Sequence, residues 1–174
     1  MKQPVDIDLS DEAAARKSTR ALAAIGEDMT QPYVQRACDW LLSRQQENGG
    51  WGESCASYDN NTYTGTASTP SQTAWALLAL HAAGLAQHVA YEQGVRFLLE
   101  RQQLDGTWDE PQFTGTGFPK VFYLRYHLYR HYFPRLALGR TQTALTPAAS
   151  ISGPVQMNAT FEEIVAAHRR SNET

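Results

Sequence analysis

Gln45-Gln46-Glu47-Asn48-Gly49-Gly50-Trp51 decides the reading of this chain, because nearly the same string returns 57 residues later as Gln102-Gln103-Leu104-Asp105-Gly106-Thr107-Trp108. Extending the match outward pairs Arg36–Glu53 with Gln93–Glu110, and eight of the eighteen positions are identical, among them Leu41/Leu98, Arg44/Arg101, Gln45/Gln102, Gly49/Gly106, Trp51/Trp108 and Glu53/Glu110. Self-similarity at such a period marks stacked supersecondary units. Each unit reads as a helix, a glutamine-bearing C-terminal turn, a glycine, a tryptophan, a loop and a second helix. A helix leaves its last carbonyls unpaired, and the amide of Gln45 or Gln102 can donate to such groups. Gly49 or Gly106 can take the left-handed conformation that ends a helix. The indole of Trp51 or Trp108 then covers the turn with a large apolar surface. These six residues are expected to be structural. One unit cannot bury its own apolar face, so the units require neighbours.

The elements around the two turns read as helices joined by polar loops. Residues 20–26 end one helix at Gly26. Pro32 opens a second, with Val34, Ala37, Cys38, Leu41 and Leu42 on one face. Residues 52–70 form a loop, Thr69-Pro70-Ser71 starts a helix running to Leu85, and another spans about His88 to Gln103. After a loop from Thr107 to Gly117, a last helix is expected from about Lys120 to Tyr132, closed by Pro134. No segment alternates like a strand, so the expected fold class is all-α. Residues 1–19 read as a polar leader, 20–140 as the folded domain, and 141–174 as a flexible tail in which Thr160-Phe161-Glu162-Glu163 could cap a short helix near 161–170.

Composition narrows the function classes. A length of 174 residues fits one domain, and 42% apolar content can build a core. The net charge of −3 gives no reason to expect nucleic acid. The two cysteines, Cys38 and Cys55, form no CxxC pair and read as reduced thiols. The leader has no apolar segment of the secretory kind, and the longest apolar stretch, Ala74–Ala86, is shorter than the roughly 18 residues a transmembrane helix needs. The expected location is cytoplasmic, or peripheral on the cytoplasmic membrane.

The two QxxxGxW strings, together with Gly50-Trp51-Gly52-Glu53-Ser54-Cys55, Ser68-Thr69-Pro70-Ser71-Gln72-Thr73-Ala74-Trp75, Gly115-Thr116-Gly117-Phe118-Pro119 and Tyr129-Arg130-His131-Tyr132-Phe133-Pro134, resemble the squalene–hopene and oxidosqualene cyclases over about residues 20–140. The resemblance implies a partial (α/α) barrel of paired helices. It also implies proton-initiated polycyclisation of squalene to hopene or hopanol, without metal or organic cofactor, in an aromatic pocket whose ring faces stabilise cations. Carried over residue by residue, the pocket aromatics near the family's C-terminus match Phe118, Phe122, Tyr126 and Tyr129. Their spacing of 4, 4 and 3 would place them on one face of the expected last helix. An ordinary core stripe would show the same spacing.

The departures matter equally. The family's initiating acid comes from a DxDD motif, and no such string occurs here; Asp6-Ile7-Asp8 reads as solvated leader charge. The family is several times longer, so the resemblance implies a C-terminal piece, inactive alone, with squalene or a related polyprenoid as ligand. Its partner would be the remaining cyclase portion if the gene is split. A non-catalytic helical remnant or isoprenoid-binding module is the alternative. The protein prenyltransferase β-subunit resembles these cyclases in architecture but requires a zinc site not found here. His127 and His131 have a zinc-compatible spacing without a third ligand, so no metal is expected. Cys38 and Cys55 have no evident base beside them. Lys120, Arg125, Arg130, Arg135 and Arg140 recur every five residues among aromatics, which suits either a lipid headgroup surface or a solvated cationic face.

Overall fold

The computed structural model describes residues 19–118 and 121–145. The leader before residue 19, Pro119, Lys120, and the tail beyond 145 with its expected helix near 161–170 lie outside the described residues. The elements are α1 at 19–24, α2 Pro32–Ser43, α3 Ala56–Asn60, α4 Pro70–Ala82, α5 Val89–Glu100, β1 Gly115–Phe118, β2 Phe122–Leu124 and α6 Tyr129–Leu145. The chain is therefore mostly helical.

Helix α4 is the centre. Ala74, Ala76, Leu77, Leu78, Ala79 and Leu80 bury it on nearly every side, as befits a helix apolar all round. It packs against α2, α5 and α6. Its start is held by both tryptophan turns. The Thr69 side chain accepts from the Gln72 amide, and Pro70 occupies the first turn, where its missing N–H costs nothing. From the first turn, the Trp51 amide donates to Thr73 Oγ1 at 3.0 Å, while the Gln72 side chain bonds both the N–H and the C=O of Glu53. From the second turn, Glu110 accepts from Ser71 N at 2.8 Å and Ser71 Oγ at 2.6 Å.

The two turns use the same bonds. Trp51 Nε1 donates to Leu41 O and Trp108 Nε1 to Leu98 O, each at 2.8 Å and each ten residues back. Gly49 (φ +82°) and Gly106 (φ +77°) are left-handed. The glutamine amides depart from expectation. They serve the turn and not the preceding helix: Gln45 Nε2 donates to Gly49 O at 2.8 Å and to Ala90 O at 2.7 Å, and Gln102 Nε2 to Gly106 O at 3.3 Å. The reason is that the indole N–H already occupies a carbonyl near the helix end, leaving the amide free to staple the turn. Gln45 thereby docks the end of α2 onto the start of α5. Close packing of α5 on Trp51 and α4 requires Gly94, where a Cβ would lie 2.8 Å from the Trp51 ring and 2.9 Å from Leu77.

The largest departure from the sequence reading lies between 115 and 145. The expected helix from Lys120 to Tyr132 is instead an antiparallel hairpin, with Gly115 opposite Leu124 and Phe118 opposite Phe122. Pro119 disfavours helical geometry at Phe118, and Val121-Phe122-Tyr123 are residues that suit a pleated surface. The last helix begins at Tyr129 and passes through Pro134, which was expected to end it. Proline inside a helix costs about 3 kcal/mol, but here it is buried. Ala137 and Thr141 of the same helix are also buried, and Thr141 Oγ1 meets Tyr91 O–H at 2.9 Å. Packing outweighs propensity, and the helix extends five residues beyond the expected domain end at 140.

Candidate functional site

A cleft of about 580 Å³ opens between α1, α4, the 53–58 segment and the start of α6. Its apolar wall is aromatic. Helix α4 contributes Trp75 and Leu78, and α6 contributes Tyr129 and Phe133. Because 129 and 133 are one helical turn apart, both rings reach the same neighbour. Trp75 meets Tyr129 at 5.8 Å and Phe133 at 5.3 Å, both edge to face, and Tyr129 meets Phe133 at 5.1 Å. Tyr126 stacks on Tyr129 at 4.8 Å and also lines the cleft. The backbone amide of Tyr126 donates to Thr114 Oγ1 at 3.2 Å, fixing that ring's approach. Glu53, Ser54, Cys55 and Gln72 add polar groups to the lining. The aromatic wall offers apolar contact area, and ring faces can meet a cation.

The four sequence-predicted pocket residues do not share a helical face. Phe118 stands on β1, Phe122 on β2, Tyr126 in the connection and Tyr129 at the start of α6. The structure brings them together in two pairs. Tyr126 and Tyr129 line the cleft, whereas Phe118 and Phe122 meet each other edge to face at 5.7 Å on the hairpin, 65% and 43% exposed. The helical face fails because a hairpin replaces the helix. Trp75 and Phe133 were missed as lining residues. Phe133 stands four residues after Tyr129 but just beyond the expected end of the helix at Tyr132.

The remaining candidates fall into place chemically. Burial pushes the Cys55 thiol pKa up, with Glu53 and Asp59 adding to the rise, so it is no activated nucleophile. Burial raises Cys38 likewise. His127 lies in the turn before α6 and His131 within it, so the pair lacks the common helix its spacing suggested. No group of three metal-ligating side chains occurs among the described residues. Three of the recurring basic residues hold the fold: Arg125 donates to Pro111 O, Arg130 pairs with Asp109 at 2.9 Å, and Arg135 donates to Gly106 O at 3.1 Å. Among the described residues, no helix is long and apolar enough to cross a membrane.

Comparison with known proteins agrees with this geometry. The family profile described as "Squalene-hopene cyclase C-terminal domain" matches residues 14–143. A probable squalene–hopene cyclase of Sinorhizobium fredii is 51% identical over 122 residues, covering 69% of this chain and 19% of the relative. The squalene–hopene cyclase of Alicyclobacillus acidocaldarius is 59% identical over 95 residues, 54% of this chain and 15% of the relative. Human lanosterol synthase is 40% identical over 121 residues, 69% of this chain and 16% of the relative. The chain thus spans a fifth or less of the length of these relatives.

Proposed function

Because the chain belongs to the squalene–hopene cyclase family through its C-terminal domain, we propose that it supplies part of the aromatic wall along which squalene or a related polyprenoid folds during proton-initiated cyclisation. The observation that carries this reading is the cluster of Trp75, Tyr126, Tyr129 and Phe133 around one cleft, with rings 4.8–5.8 Å apart. Ring faces attract a cation by about 0.5–2 kcal/mol each, more when water is excluded, so several convergent rings can stabilise charge migrating along a polyene. Their apolar bulk also excludes water that would quench the cation.

In this reading, the chain's residues shape and stabilise but do not initiate. Protonating an alkene takes a strong acid, and the DxDD string that supplies one in the family does not occur in these 174 residues. The acid comes from a separate portion of the enzyme, and the chain alone makes no product. The ordered aromatic cleft supports a role in cyclisation more than the alternative of an inert remnant.

The test is to incubate the purified chain with detergent-dispersed squalene, alone and with the acid-bearing remainder of the Alicyclobacillus cyclase, and to separate products by gas chromatography with mass detection. Cyclised product only in the mixture is expected. Product from the chain alone, above a heat-killed control, would assign proton donation to one of its own carboxylates. No product in either case, with no squalene bound, would sink the reading.

A further inference from the structure

We propose that Asp59 and Tyr123 are a positioning pair, whose hydrogen bond fixes the β1–β2 hairpin so that Phe118 and Phe122 present their rings as one apolar contact; this rests on the proposed role of the chain as part of an aromatic wall for a polyene, to which it adds these two rings. Phe122 and Tyr123 are adjacent on β2, so their side chains leave opposite faces of the strand. Tyr123 faces the short helix α3, where its phenol donates to Oδ2 of Asp59, 64 residues earlier in sequence. The same side of the hairpin carries Phe113, whose ring lies 5.9 Å from that of Tyr123. Cys55 Sγ reaches the Phe113 carbonyl at 3.8 Å. The 55–59 segment therefore straps one face of the hairpin, while Phe118 and Phe122 occupy the other.

Two considerations make this strap decisive for the ring pair. A two-stranded hairpin is marginal in water by itself, so its orientation has to come from what it packs against. Phe118, the most exposed ring of the hairpin at 65%, does not supply that anchoring. The second consideration is the carboxylate. Asp59 Oδ1 is buried without a hydrogen-bond partner, so the phenol carries the polar satisfaction of this group. The bond to Asp59, with burial behind it, pushes the Tyr123 pKa up to about 12, so the phenol remains a donor throughout the neutral range. Tyr123 is not among the residues lining the cleft; it acts through the hairpin.

The experiment places 4-fluorophenylalanine singly at position 118 or 122 of the full chain and records fluorine NMR with and without detergent-dispersed squalene. The unsubstituted protein should show resonances away from the random-coil position, and so should Asp59→Asn, whose amide oxygen still accepts the phenol. In Tyr123→Phe and Asp59→Ala both resonances should move to the random-coil position and lose their squalene-induced shift, while the thermal midpoint of the helices stays unchanged. Unmoved resonances in those two variants would overturn the proposal. So would melting of the helices in both, because the pair would then hold the core and not the hairpin. If the unsubstituted protein does not respond to squalene, the polyene reading fails alone, and the resonance positions in the variants still decide the role of the pair.

Discussion

Glu110→Ala should be among the most destabilising single changes outside the tryptophans, although the residue is charged and follows the second turn. Its side chain is 4% exposed and accepts two bonds from Ser71, at 2.8 Å from N and 2.6 Å from Oγ, at the start of the central helix. Truncation leaves a buried amide and a buried hydroxyl without their acceptor, at about 1–3 kcal/mol each. It also removes a negative charge from a helix N-terminus, about 0.3–1 kcal/mol. Relief from burying an ionised carboxylate offsets part of this. The net expectation is about 3 kcal/mol, or a fall of about 1.5 M in the urea midpoint for a slope of about 2 kcal/mol/M. Glu110→Gln keeps one acceptor and should lose only about 1 kcal/mol. Burial pushes the Glu110 pKa above the usual 4.5, against the Ser71 bonds and Arg130, which pull it down. With a raised folded-state value, the folded chain holds this proton more tightly than the unfolded chain. Its contribution is then fully present below pH 4.5 and lost as pH rises through the folded value. The advantage of the unsubstituted protein over Glu110→Gln should accordingly shrink from about pH 4.5 upward. Urea titrations followed by tryptophan fluorescence at several pH values read all of this. A midpoint shift below about 0.3 M for Glu110→Ala would refute the reasoning, since water would then be replacing the carboxylate at Ser71.

Trp51→Phe and Trp108→Phe should cost similar amounts, about 3 kcal/mol each, because both lose an indole bond to a buried carbonyl and leave a cavity; denaturant midpoints differing by more than twofold in cost would argue against equivalent turns. Gln45→Ala should destabilise more than Gln102→Ala by about 1 kcal/mol, since Gln45 also bonds Ala90 O while Gln102 makes the longer bond to Gly106 O. Thermal midpoints in the reverse order would contradict that geometry. The isolated chain should bind the apolar dye ANS or self-associate, because Phe118 and Phe122 meet on the hairpin while 65% and 43% exposed, beside Val121 at 73%. A dye-silent monomer by sizing and fluorescence would oppose it.

The helices around the two turns were legible because three signals coincided there: a repeat, capping residues and apolar periodicity. Thr69-Pro70-Ser71 starts α4 as its sequence suggests, and α2 begins at Pro32. The glutamine bonds were only half legible, since their partner depends on which carbonyl the indole, six residues on, already occupies. The 115–145 region was misread because aromatic spacings of 4, 4 and 3 fit a helix, although glycines and Pro119 on one side and β-favouring residues on the other favour a hairpin. Pro134 misled in the opposite sense: its local cost is overridden by packing against α4, which no local pattern reveals. Of the cleft lining, Tyr126 and Tyr129 had been singled out in the sequence, Trp75 lay in a quoted stretch without being assigned to the cleft, and Phe133 fell just past the expected end of the last helix. The Asp59–Tyr123 bond joins residues 64 apart, beyond the reach of any periodicity.

The most direct test of the central claim is to irradiate the chain with a diazirine-bearing squalene analogue and map the label by peptide mass spectrometry. Labelling should concentrate at Trp75, Tyr126, Tyr129 and Phe133, reach Phe118 and Phe122, and fall when unmodified squalene competes. Label scattered over the exposed Ile25, Val89 and Leu104 and indifferent to squalene would contradict it.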